Sequence, residues 1–204
     1  MKTLKLLFSL IFIAAFASVG FGQITGSAHD LSGEAWNTTT EICIVCHTPH
    51  NGSGAVGAVL WNHAETVATF TVYASTTLDA TVGQPSGTSK LCLSCHDGTV
   101  GLEDFGGAGG TTYISGDALV GTDLGNDHPI SFTYDAALSG ADVGLHDPTT
   151  QPSGLGSTIT ADLLFGESLE CASCHDVHNN GLGSDYLLRL DNAASALCLT
   201  CHDK

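Results

Sequence analysis

The sequence predicts mostly irregular coil with short α-helices and few strands, wrapped around covalently bound groups rather than built on a large sheet or bundle. Three observations point there. All eight cysteines fall into four C-x-x-C-H copies: Cys43 to His47, Cys92 to His96, Cys171 to His175 and Cys198 to His202. Glycine supplies 25 of 204 residues, well above the roughly 7% of average usage, which costs helix and strand stability and lets backbone approach a ligand. The stretches between the motifs are rich in Gly, Thr and Ser and show no long helical periodicity.

C-x-x-C-H is the attachment signature of c-type haem. Its two thiols, three residues apart, lie on one helical turn and each forms a thioether with a haem vinyl group. The histidine that follows stands under the iron as the proximal ligand. Two alternatives fit less well. Two C-x-x-C pairs can hold a structural zinc, but zinc requires no histidine after every second cysteine. A disulfide framework, common in exported chains, leaves the fourfold coincidence unexplained. The expected fold class is therefore a multihaem cytochrome c whose interior is four c-type haems (iron), held by Cys43, Cys46, Cys92, Cys95, Cys171, Cys174, Cys198 and Cys201.

Residues 1–22 read as a secretory signal peptide: basic Met1-Lys-Thr-Leu-Lys5, an apolar run from Leu6 to Phe16, then small residues to Gly22. The run is shorter than the roughly 20 residues a membrane span needs. Cleavage is expected after Gly22, with Ala17 as the other position. Its removal takes Lys2 and Lys5 and leaves Lys90, Arg189 and Lys204 against 21 acidic residues, more negative than the whole chain's −16. That balance repels nucleic acid and anionic lipid. Charged residues are only 13% of the chain, so the remaining surface is neutral and leaves room for self-association.

Residues 23–204 are expected to form one domain. The polar segment 23–41 leads into the first motif, with His50 three residues beyond His47. A loop and Leu60-Trp61-Asn62-His63 follow, and then alternating Thr66 to Tyr73, the candidate for one sizeable strand. Ser86-Gly-Thr-Ser89 can cap a short helix carrying the second motif. Residues 99–125 and 135–158 read as loops around Asp127-His128-Pro129, where Pro129 biases His128 to extended backbone. Residues 193–202 have helical composition and carry the fourth motif. An internal repeat is visible. Cys46-His47-Thr-Pro-His50-Asn51 matches Cys174-His175-Asp-Val-His178-Asn179, and Lys90 to Asp97 matches Ala196 to Asp203, giving paired-haem units at about 41–98 and 168–204.

The only methionine is Met1, which excludes His/Met ligation in the mature chain. Proximal His47, His96, His175 and His202 leave His29, His50, His63, His128, His146 and His178 for four distal places. His50 and His178 stand three residues from a proximal histidine and are neighbours of it on a helical turn. They cannot take opposite faces of the same iron, so each reaches another motif's haem. His128, His63 and His29 are the other favoured ligands; His146, in a loop beside Asp147-Pro148, is the weakest. Bis-histidine ligation fills both axial positions and predicts electron transfer rather than enzymatic turnover.

These segments resemble the OmcE-like tetrahaem cytochromes, which polymerise into extracellular nanowires, and more broadly the doubled-CxxCH cytochromes. The likeness is carried by Gly26 to Ser32, Cys46 to Asn51, Leu60 to His63, Lys90 to Gly98, Asp127 to Phe132, Cys174 to Asn179 and Leu197 to Asp203. It implies a continuous row of bis-histidine haems and one distal histidine supplied by a neighbouring subunit, with His50 or His29 the first choices. It also implies head-to-tail self-association into a filament, export out of the cell, no membrane span in the mature chain, and redox proteins or extracellular acceptors as partners. A monomeric periplasmic shuttle is the alternative, and a haem reductase with one open iron a further one.

Overall fold

In a computed structural model, residues 24–178 and 186–203 are described; the expected signal peptide and Asn179 lie outside them. Regular structure is sparse. Among the described residues the helices are α1 (Gly87–His96), α2 (Ala136–Ala141), α3 (Ile159–Asp162), α4 (Cys171–Cys174) and α5 (Ala196–Cys201). Short 3-10 turns occupy Leu31–Gly33, Gly116–Ala118 and Ala193–Ser195. Two-residue strands β1 (Phe132–Thr133) and β2 (Ser168–Leu169) pair antiparallel, Phe132 opposite Leu169 and Thr133 opposite Ser168. No described helix is long and apolar enough to cross a membrane.

The core is correspondingly small. Phe132, Tyr134, Ile159, Leu163, Leu164 and Leu169 form one buried cluster. Phe70, Leu93 and Leu124 form a second, and Ile130 packs against both. Burial pushes the Tyr134 phenol up, and its hydroxyl donates to His146 O at 2.6 Å and Cys201 O at 3.3 Å. This bond ties the first cluster to the fourth motif.

Three expectations need correction. The stretch from Thr66 to Tyr73 forms no strand, only a bridge of Thr71 to Asp123. Side chains replace the ladder there: the Gln84 amide accepts from Phe70 N at 2.8 Å and donates to Phe70 O at 2.9 Å. Residues 135–158 are not all loop, because α2 forms where the Asp135 side chain accepts from Leu138 N at 2.8 Å. The first motif is a turn rather than a helix. It is closed by His47 N to Cys43 O at 2.8 Å and pinned by Asn62 N to Cys46 O at 2.9 Å. Gly52 allows that return, since a Cβ there would stand 2.6 Å from the Leu60 Cα.

Ile159 is fully buried and Val67 is 97% exposed. Ile159→Ala should lower stability by about 2–5 kcal/mol in denaturant unfolding of the haem-loaded protein. Val67→Ala should stay within about 0.5 kcal/mol.

Candidate functional site

Helix α1 carries the second motif. Leu91 and Leu93 bury its inner face, and Gly98 (φ 74°) follows its end in the left-handed conformation that suits a helix C-terminus. Asp97, the C-cap, is 4% exposed and takes hydrogen bonds from the Thr66 and Thr99 hydroxyls. Helix α4 is a single turn carrying the third motif, opened by a capping box between Glu170 and Ser173. Helix α5 carries the fourth and starts where Ala194 and Ser195 turn left-handed (φ 54° and 63°). In each case the two cysteines stand one turn apart with histidine at the turn's end.

Three of the four proximal histidines are fixed by the same device. The Nδ1 of His47 lies 2.7 Å from Val59 O, that of His96 2.7 Å from Ala118 O, and that of His175 2.7 Å from Tyr186 O. A carbonyl accepting from Nδ1–H sets the tautomer and leaves Nε2 with a lone pair for a metal. The remaining proximal residue, His202, is held by a backbone bridge to Leu145.

Opposite these rings stand others. His29 faces His96 with ring centres 6.0 Å apart, His178 faces His47 at 6.2 Å, and His128 faces His202 at 6.2 Å. An imidazole nitrogen sits about 2 Å from its metal and the ring centre about 1 Å further, so rings on opposite sides of one metal are about 6 Å apart. His47 and His178 are nearly parallel (13°), yet too far apart for face-to-face contact. Burial first, then the His96, His175 and His178 rings, lowers His29 to about 4, so the ring is neutral and metal-competent at neutral pH. Its Nδ1 is buried without a hydrogen-bond partner. These residues fit axial ligation of haem iron, with the adjacent cysteine pairs as thioether anchors.

The cysteines are unbridged. Among the described residues no group of three or more His, Cys, Asp or Glu converges as a metal cluster would. Instead the motifs neighbour one another in chain order. Burial, then the Cys46 thiol and Asp97, pushes Cys95 up to about 12. A hydrogen bond to Cys171, then burial, raises Cys92; burial, then Cys174, pushes Cys201 up to about 11. Helices α1 and α4 pack on each other, so the second and third motifs meet across the two halves of the repeat.

Two further expected ligands, His63 and His50, make no ring pair with a proximal histidine among the described residues. His63 is 2% exposed, with Nδ1 2.8 Å from Ala64 O and Nε2 3.1 Å from Gly101 O. Its ring also neighbours Trp61, and its Nε2 lies 3.6 Å from the Cys95 Sγ of the second motif. His50 is exposed and lines an open cavity of about 470 Å³ with Trp61, Asn62 and His63. His146, the weakest candidate, has its amide on Cys201 O at 2.9 Å and forms no ring pair among the described residues. Sequence reasoning did not find Glu170, 2% exposed where α1 meets α4. Its only signal was a position just before a C-x-x-C-H.

Residues 165–204 match the doubled CXXCH motif family. No curated protein matches the chain. The match covers the third and fourth motifs and supports covalent c-type haem there; the first and second motifs repeat the same residues at the same spacing. Intact-mass measurement of the purified native protein should find four added haems, one on each motif peptide. Replacing Cys171 and Cys174 together by Ser should remove one.

Proposed function

We propose that this chain carries electrons through four bis-histidine c-type haems, without enzymatic turnover, and assembles head to tail into an extracellular filament. The doubled CXXCH match supports the haem chemistry. The observation carrying the ligation is the set of three ring pairs at about 6 Å, 47 with 178, 96 with 29 and 202 with 128. Iron saturated on both faces exchanges electrons and offers no position to a substrate.

The assembly reading rests on the ring left over. Among the described residues His175 makes no ring pair with a second histidine, while His50, the counterpart of His178 in the repeat, is exposed. His50 of one subunit then completes the haem of His175 in the next. His29, the other first choice for crossing, is better used within the chain against His96. Exposed apolar side chains follow His50 along the chain, Val56 (80% exposed) and Val59 (78%), and Tyr186 (76%), whose carbonyl holds His175, is exposed too. A contact between two different faces generates a helical polymer wherever the rotation between subunits does not close a ring. Such a polymer carries electrons outside the cell between redox proteins and external acceptors.

The same leftover ring favours one other reading, a reductase whose open iron lies at His175. The two separate in one series. In the leading reading, native protein shows filaments by negative-stain microscopy and only low-spin haem. His50→Ala abolishes the filaments and leaves one haem per subunit that binds carbon monoxide. His29→Ala, His128→Ala and His178→Ala each open a different haem, whereas His63→Ala leaves all four low-spin. Single particles in the native protein would sink the filament. A native haem open to carbon monoxide would favour the reductase.

A further inference from the structure

Glu170 joins the two central motifs. It precedes Cys171 in α4, yet it also serves the start of α1. Ser86, at the N-cap of α1, makes no side-chain cap hydrogen bond. The Glu170 carboxylate takes that place, accepting from Ser89 N at 3.4 Å. Gly87 leaves the room, since a Cβ there would lie 3.3 Å from Glu170 Oε1. Ser131 Oγ donates to Oε2 at 2.9 Å and Ser168 Oγ to Oε1 at 2.7 Å. The junction is closed from the other side by Cys171 N donating to Ser89 Oγ at 2.9 Å.

Ser89 N can only donate to this carboxylate, and the Ser131 and Ser168 hydroxyls are placed to donate as well, at both of its oxygens. No cation answers it: among the described residues the ion pairs are Lys90 with Glu65 and His178 with Asp176. Glu170 and Ser89 are 2% and 0% exposed, so water screens the charge weakly. The first cysteines of the second and third motifs, Cys92 and Cys171, lie at this same junction, linked by a side-chain hydrogen bond.

Building on the electron-transfer reading, we infer that Glu170 is a positioning residue that docks α1 on α4 and makes the second and third haems the harder pair to reduce. Reduction adds one electron to each iron and lowers its charge by one. A negative charge at the junction of Cys92 and Cys171 would favour the oxidised form of the haems those cysteines hold. The first and fourth motifs contribute no hydrogen bond to this junction, so haems on them would feel the charge less, leaving the pair on the second and third motifs lower in potential.

The experiment is a spectroelectrochemical titration of the full haem-loaded protein, with paramagnetic resonance following individual ferric haems. Glu170→Gln keeps shape and removes charge. Its expected effect is a rise in the potentials of two of the four haems, narrowing the spread, with haem count and low-spin signatures unchanged. Ser168→Ala, which keeps the acid and removes one dipole that offsets its charge, should shift the same two haems by less and downward. An unaltered titration in a fully loaded Glu170→Gln protein overturns the inference, as does an equal rise in all four haems. If that variant fails to load, an unaltered titration in Ser168→Ala and Ser131→Ala overturns it. Wild-type protein lacking low-spin haems would instead overturn the electron-transfer reading itself.

Discussion

The fold depends on holding imidazole rings in facing pairs about 6 Å apart. On the proposed ligation the tolerance is narrow, because a metal–nitrogen bond would fix the distance and a carbonyl on Nδ1 fixes the ring's rotation. The partners are far apart in the chain, 47 with 178, 96 with 29 and 202 with 128. Each pair therefore closes a long loop. Closure entropy grows only slowly with loop length, so such a design tolerates long glycine-rich connections. It does not tolerate misplacement of the few residues that aim the rings. Two small apolar clusters and a two-residue strand pair supply little stability alone. On the proposed ligation, metal–ligand bonds would add to that stability, as in small metal-dependent domains.

Composition determines how the interior handles charge. Outside the segment read as a signal peptide the chain has three cationic side chains against 21 acids, so buried carboxylates cannot depend on ion pairs. Asp97 and Glu170, 4% and 2% exposed, are instead satisfied by hydroxyls and backbone amides: Thr66 and Thr99 for one, Ser131, Ser168 and Ser89 for the other. The Thr and Ser richness reads in the sequence as a neutral coat. In the structure part of it lies inside and stands in for missing cations.

Chemistry was more legible than backbone. The cysteine motifs, the proximal histidines and the helices at Gly87–His96 and Ala196–Cys201 follow from spacing and composition, because one turn of helix and a thioether pair impose the same geometry. Alternation from Thr66 to Tyr73 misled, because a single glutamine amide can satisfy an extended backbone as a strand would. Helix α2 was missed because Asp135 gives an N-cap signal that its short, glycine-containing continuation obscures. Histidine counting could not place His63: its ring lies between two carbonyls and beside the Cys95 thiol, contacts that no spacing announces. Glu170 was invisible for a related reason, as its partners lie as many as 81 residues away.

The repeat explains how one sequence device could serve both within and between subunits. The first and third motifs each follow their proximal histidine with another at the third position, and neither second histidine can reach its own motif's iron on the opposite face. His178 lies across from His47 in the same chain. The reciprocal pairing, His50 with His175, is not made within the chain. Had it been, the two motifs would lock each other and the molecule would be closed. What separates the copies is their surroundings: the turn at Cys43–His47 is held by Asn62 and Trp61, whereas α4 is held by Glu170 and Ser89 against α1. An exchange completed on one side and left open on the other is the same economy as domain swapping, in which identical contacts are made with a neighbour's element. Polymerisation on this reading requires no new interface chemistry, only the second half of a pairing that the chain has already made once.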